Sequence, residues 1–452
     1  MLNIIKNGHL CQDDHFVMNT FQRIYFLFFT LIVASCVKVI IPPEEEFPLE
    51  NLPDYEITTD TNISTGKTIY TITLNKKDIL SQNLTDSISV LIQNLIIKGS
   101  VSDNDIYTIR DKILNIKNLD LSEAILTSLP EYAFFTNNKG LHKLDTIVLT
   151  DMITTIGKWA FADCISLKSI NLPANIKIIE EFVFYNCTSI VTLSLPSKTE
   201  TIKNSAFRDC INISQISIPS SVTSIGEYAF KDCQNIKEIK LPDNIISIDE
   251  GLLYNCFKLE KFIISAKAQY IGKNAFYFCS TIDSVSIPNS VESIGDRAFE
   301  GCSSLDYITI PETVKTVGAY AFFGCKNIEN INFPDSTKVI QNGTFYDCTG
   351  LKSILLNEEI TSIGNAAFFN CINLSEINIP KNVSYIGGLA FGGYLRLKKI
   401  FAYPQFPPNS NSQKIFGSLD KNSCLLKVAK GSIERYKEAY EWNEFSYISE
   451  IK

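Results

Sequence analysis

Ile225-Gly226-Glu227-Tyr228-Ala229-Phe230-Lys231-Asp232-Cys233-Gln234-Asn235-Ile236-Lys237-Glu238-Ile239-Lys240-Leu241-Pro242-Asp243-Asn244-Ile245-Ile246-Ser247 is one unit of a repeating chain. Its cysteine belongs to an unbroken series: Cys164, Cys187, Cys210, Cys233, Cys256, Cys279, Cys302, Cys325, Cys348 and Cys371, each 23 residues from the last. A fixed period of roughly 20–50 residues is the signature of stacked identical units, so most of the chain is expected to be a solenoid.

With the cysteine at position 0, phenylalanine stands at −3 in nearly every unit, Leu or Ile at +3, and apolar residues at +6 and +8. Proline often follows at +9, Val or Ile at +12, and Ile at −8, usually with Gly at −7. The alternation at +6 and +8 predicts a short strand with one face inward. Proline at +9 ends it, because proline cannot donate to the next ladder. A second extended piece is expected from +12 to +15, and glycine at −7 permits a tight bend. Ala-Phe-x-x-Cys has the spacing of a single helical or 3₁₀ turn. Imperfect units occur where Leu253 replaces phenylalanine and where Ser265 and Asn357 replace proline, and these are expected to be kinks or local exposures.

The pattern Ile-Gly-x-x-Ala-Phe-x-x-Cys-x-x-Leu-x-x-Ile-x-Leu-Pro-x-x-Val resembles the BspA-like leucine-rich repeats of bacterial surface antigens over about Leu119 to Ile400. Val428-Ala429-Lys430-Gly431-Ser432, then Tyr436, Ala439, Trp442, Phe445 and Ile448, is similar to that family's terminal β–α–β cap, with Ala429 standing where proline is usual. The resemblance implies an α/β repeat solenoid with N-terminal and C-terminal capping regions. It also implies a cell-surface protein that binds host, matrix or neighbouring-cell proteins.

The N-terminus carries an apolar run, Ile24 to Ala34, behind Arg23. It is too short for a spanning helix, which takes roughly 20 residues, and has the length of a secretory signal core. It ends Val33-Ala34-Ser35-Cys36, which looks like a lipobox with Cys36 as the lipidated residue; Met18 is an alternative start. The expected organisation is a signal peptide at 1–35, a lipid-anchored tether at 36–62, and an N-terminal α/β cap domain at 63–118. The solenoid then fills 119–400 with about 11–12 coils, and a C-terminal cap fills 401–452. Within the first cap, Ile69 to Leu74 and Leu95 to Gly99 read as strands. Ser102-Asp103-Asn104-Asp105 reads as the N-cap of a helix through Ile113.

The net charge of −8 carries no basic stripe, so no nucleic acid is expected. His142 is the one histidine beyond the signal segment. Identical cysteines pointing one way a coil apart do not converge as metal ligands do. They are expected to be buried thiols, and neither metal nor cofactor is expected. The outward positions +5 and +7 are mainly small and polar, with no acid–base pair, so a non-enzymatic role is expected. The candidate binding face on those positions is Glu238, Lys240, Lys261, Ile263, Tyr307, Thr309, Asn330 and Asn332. The resulting expectation is a monomeric outer-membrane lipoprotein on the cell surface, held by its lipid anchor and binding an extracellular protein or glycan. The alternative is a glycan-associated surface enzyme or accessory glycan-binding protein.

Overall fold

The computed structural model describes residues 54–62, 67–135, 143–393 and 396–452. Cys36, the signal segment, His142 and Tyr394 lie outside them. Each 23-residue coil contributes a three-residue front strand at +5 to +7 and a two-residue side strand at −9 and −8, such as Glu238–Lys240 and Ser247–Ile248. Both sets pair in parallel with the same positions in a neighbouring coil, as Glu238↔Lys261 and Ser247↔Tyr270, the front strands from Thr146–Val148 to Lys399–Ala402 two by two and the side strands in runs of two to four. The result is a parallel β-solenoid of about 16 turns.

That count exceeds the expected 11–12 because the ladder runs past both expected limits. The helix Asp103–Lys112 has the expected N-cap: Ser102 Oγ accepts from Asp105 N, and Ser102 N donates to the Asp105 carboxylate. The buried Asp105 also accepts from Leu80 N at 3.0 Å. The strands Lys67–Leu74 and Asn94–Ser100 are bonded in parallel to each other and onward to Asn118–Asp120 and Thr146–Val148. Residues 67–118 therefore form further turns of the same ladder, and the boundary read at 118/119 falls inside it. Tyr55–Asn62, read as the end of a tether, is a strand pairing antiparallel with Lys67–Leu74 and closing that edge of the sheet. At the other end, Lys399–Ala402, Leu425–Val428 and Tyr447–Glu450 continue the parallel ladder, with the helix Ile433–Glu438 between the last two.

The Ala-Phe-x-x-Cys segment is not a helical turn. Residues at −5 and −1 adopt left-handed backbone, among them Trp159 at φ 60°, Phe182 at 56° and Asp163 at 58°. Left-handed residues interrupt helix propagation and, in bulky side chains, cost energy. Alternate amides instead face opposite ways. Phe161 N donates to Val183 O in the next coil at 3.0 Å, whereas Cys164 N donates to Phe161 O within its own coil at 3.1 Å. This turn ribbon forms the third side of each coil. The local exposures expected at the imperfect units are absent. Ser265 and Asn357 are both buried and make the bonds proline could not: Lys267 N donates to Ser265 Oγ at 3.2 Å, and Asn357 Nδ2 donates to Thr337 O at 3.0 Å.

The core is a set of columns. Phe276, Phe299, Phe322, Phe345 and Phe368 stack nearly parallel, with centroids 5.0–5.7 Å apart. Leu253 interrupts the column, and Phe262 from its own coil fills the space, meeting Phe276 edge-on at 4.8 Å. Phe299 is fully buried. Phe299→Ala is expected to cost about 3–5 kcal/mol, because the stack cannot collapse around the lost ring. Chemical denaturation checks this.

Candidate functional site on the strand face

The inward middle residue of each front strand leaves positions +5 and +7 exposed, as the exposed–buried–exposed pattern of Tyr307–Thr309 and Asn330–Asn332 shows. All eight expected binding residues stand on this face, but in two groups separated by the strand Ser284–Ser286. In the first group, Glu238 sits in register with Lys261 and their side chains pair at 3.1 Å. Both are more than half exposed, so the pair adds little stability. Lys240 stands beside Ile263. In the second group, Thr309 Oγ1 donates to Tyr307 Oη at 3.1 Å, and Tyr307 is 68% exposed. Asn330 Oδ1 accepts from Ser353 Oγ at 2.6 Å, and Asn332 is in register with the exposed Leu355.

The front ladder is not continuous. No strand pairing joins Gln215–Ser217 to Glu238–Lys240, or Tyr307–Thr309 to Asn330–Asn332. A cleft opens at each of these junctions. The first has a volume of about 800 Å³ and is lined by Gln215, Ile216, Ser217, Glu238, Lys240 and Leu241 among others. The second, about 460 Å³, is lined by Tyr307, Thr309, Asn330 and Asn332 over Ile308 and Ile331. Six of the eight residues thus surround clefts, while Lys261 and Ile263 lie one strand away. Each cleft has an apolar floor and a polar rim.

An aromatic stripe on the turn ribbon was missed in the sequence. Trp159 stacks on Phe182 at 4.1 Å, Tyr254 on Tyr277 at 4.4 Å and Tyr346 on Phe369 at 4.8 Å. Lys231 lies over Tyr254 and Arg297 over Tyr320. Reading positions −5 and −2 at 23-residue steps would have revealed it. The rings of each pair cover one another's facing sides.

The ten ladder cysteines are free and buried. Each thiol reaches the −3 carbonyl of the preceding coil, as Cys187 Sγ to Phe161 O at 3.1 Å and Cys348 Sγ to Phe322 O at 3.0 Å, with Cys279 Sγ reaching Leu253 O at 3.2 Å. Burial pushes their pKa values up, to about 12 for Cys210 and well above the ordinary value for Cys233 and Cys325. Among the described residues no group of His, Cys, Asp and Glu is arranged to hold a metal ion.

The fold defined by these coils is that of a leucine-rich-repeat protein. The chain matches the family described as BspA type leucine rich repeat region (6 copies), over residues 87–175, 107–222, 200–315 and 269–398. It belongs to that family. A leucine-rich repeat protein from Bacteroides ovatus is similar in structure, with a TM-score of 0.59 and 24% identity, covering 88% of this chain and 98% of that one. The pneumococcal vaccine antigen PcpA is also similar, with a TM-score of 0.52 and 16% identity over 89% of this chain and 98% of its own. No curated protein matches.

The raised thiol pKa values give a pH dependence. The unfolded chain releases these protons above an ordinary pKa of 9.0, and the folded chain keeps them. The folded state then binds more protons, so stability is full below about pH 9 and falls as pH rises towards the folded values. The thermal midpoint is expected to drop between pH 8 and pH 10. At pH 8 a thiol reagent should leave the ladder unmodified until denaturant is added; rapid labelling of native protein would contradict the burial.

Proposed function

We propose that this chain is a non-enzymatic, surface-anchored protein whose front strand face binds an extracellular protein. The supporting observation is the gathering of Glu238, Lys240, Tyr307, Thr309, Asn330 and Asn332 around two clefts of one regular face. Leucine-rich repeats of this family are scaffolds that present such faces, and outward positions vary without disturbing the core. A protein ligand suits the surface better than a glycan. Tyr307 and Leu355 offer exposed apolar contact within a polar surround, the composition of a protein interface. A catalytic reading finds less support, since Glu238 on this face is paired with Lys261.

Anchoring is through Cys36, lipidated after removal of residues 1–35, which places the repeats on the outer face of the outer membrane as a monomer. Metabolic labelling with an alkynyl fatty acid is expected to tag the wild-type chain in its host and not Cys36→Ala. Equal labelling of both would remove the anchor from the proposal.

Binding is tested on a panel of immobilised extracellular-matrix proteins beside a glycan array. At least one matrix protein is expected to bind the soluble repeats. Tyr307→Ala combined with Lys261→Ala should then weaken that binding about tenfold, the loss expected when an aromatic anchor is truncated. Unchanged binding would discard the front face, and capture by the glycan array alone would favour the glycan-binding alternative.

A further inference from the structure

The side-strand ladder breaks at three junctions: between Thr155–Ile156 and Ile178–Ile179, between Ser224–Ile225 and Ser247–Ile248, and between Thr316–Val317 and Val339–Ile340. The residue after the later strand, position −7, is Glu180, Asp249 or Gln341 at these junctions. At the unbroken junctions it is glycine at 157, 226, 272, 295, 318, 364 and 387; Lys203 is the exception.

The geometry gives the reason. A Cβ built on Gly295 would lie 2.6 Å from Lys273 N in the preceding coil, and one on Gly364 would lie 2.6 Å from Asn342 N. Relieving such a contact to ordinary distance moves the coils apart by about 0.8 Å. The ladder bond beside it, Gly295 N donating to Ile271 O at 2.8 Å, would stretch beyond about 3.5 Å and be lost. The equivalent bonds from Asp249 to Ile225 and from Gln341 to Val317 are absent among the described residues. Lys203 keeps its bond to Ile179 O at 2.8 Å; the front ladder is open at that junction, between Ser169–Asn171 and Thr192–Ser194, as it is at the Gly295 and Gly387 junctions, so the −7 residue governs the side ladder.

Among the described residues, the front and side ladders open at the same junction only at Asp249 and Gln341, and these junctions hold the two clefts described above. The turn ribbon stays bonded across both: Tyr228 N donates to Glu250 O and Tyr320 N to Asn342 O, each at 2.9 Å. We infer that Asp249 and Gln341 are positioning residues that hold these two junctions open. The solenoid thereby gains two built-in hinges, with the turn ribbon as the hinge line and the front clefts as the gaps that widen and narrow. Coils whose −7 residue is glycine keep their side ladder closed. The inference concerns the unliganded chain and does not depend on what the front face binds.

Amide hydrogen exchange on the soluble repeats, without ligand, tests it. The amides of Asp249 and Gln341 are expected to exchange at least about tenfold faster than those of Gly272, Gly295 and Gly318, because an unpaired amide needs no opening event. Asp249→Gly and Gln341→Gly should each slow exchange at the altered position to the rate of those glycines. Gly295→Asp should do the converse at its own junction. Protection at Asp249 and Gln341 equal to that of the glycines in the wild-type chain would overturn the inference. So would glycine variants that fold with exchange unchanged. The two glycine variants decide the matter even if Gly295→Asp fails to fold.

Discussion

Every part of this structure depends on one constraint: each side chain packs against its own copy in the next coil. A residue type is admitted at a repeat position only if it is complementary to itself at coil spacing. Phenylalanine meets this by offset stacking, as in the column from Phe276 to Phe368. Cysteine meets it with a small apolar body and a weak donor that finds the backbone carbonyl of the coil before. Like charges directly opposite repel, and exposed charges at several positions alternate in sign across coils, as Lys177 pairs with Glu200, Lys315 with Glu292 and Lys352 with Glu329. Asp209 and Asp232 keep one sign, and burial together with the neighbouring carboxylate raises the pKa of Asp209.

The same constraint explains what the sequence disclosed. Positions 0, −3, +3, +6 and +8 repeat in type, so fold, strand positions and buried thiols could be read directly. The N-terminal turns were hidden because their register moves Ile72 onto Ile97 and Leu119 onto Ile147, steps that are not 23. Tyr55–Asn62 was hidden because its pairing partner completes it, while its own residues are mostly polar. The left-handed turn residues were hidden for another reason. Trp159, Phe182 and Tyr228 are side chains that ordinarily avoid that backbone, and only the inter-coil bonds and ring stacking of the finished ribbon hold them there.

At the candidate site the outward residues were legible, since alternation fixes which side chains leave the core. Their division into two clefts was not. The clefts depend on departures from the pattern, and a consensus that records glycine as usual at −7 treats Asp249 and Gln341 as noise. The coil that contains Asp249 departs at three further places, Leu253, Phe262 and Ser265. The ring lost at Leu253 is replaced by Phe262, and Ser265 supplies a hydroxyl that accepts from Lys267 N. The coil therefore keeps its core filled while its junction opens.

An open junction has its largest effect on the front face because of where the bonds remain. Amides of the turn ribbon cross every junction discussed here, so neighbouring coils cannot separate on that side. Any relative movement is a rotation about the ribbon, and displacement grows with distance from it. The front strands lie on another side of the coil, and their polar residues ride on the moving edges. Tyr307 and Asn330 stand at the same repeat position on the two sides of such a gap, as do Gln215 and Glu238. A uniform stack would present a partner with fixed spacing along its whole length. A stack whose front and side ladders open together at two defined junctions can adjust the separation of its contact groups while the buried columns of Phe and Cys stay in register within each block.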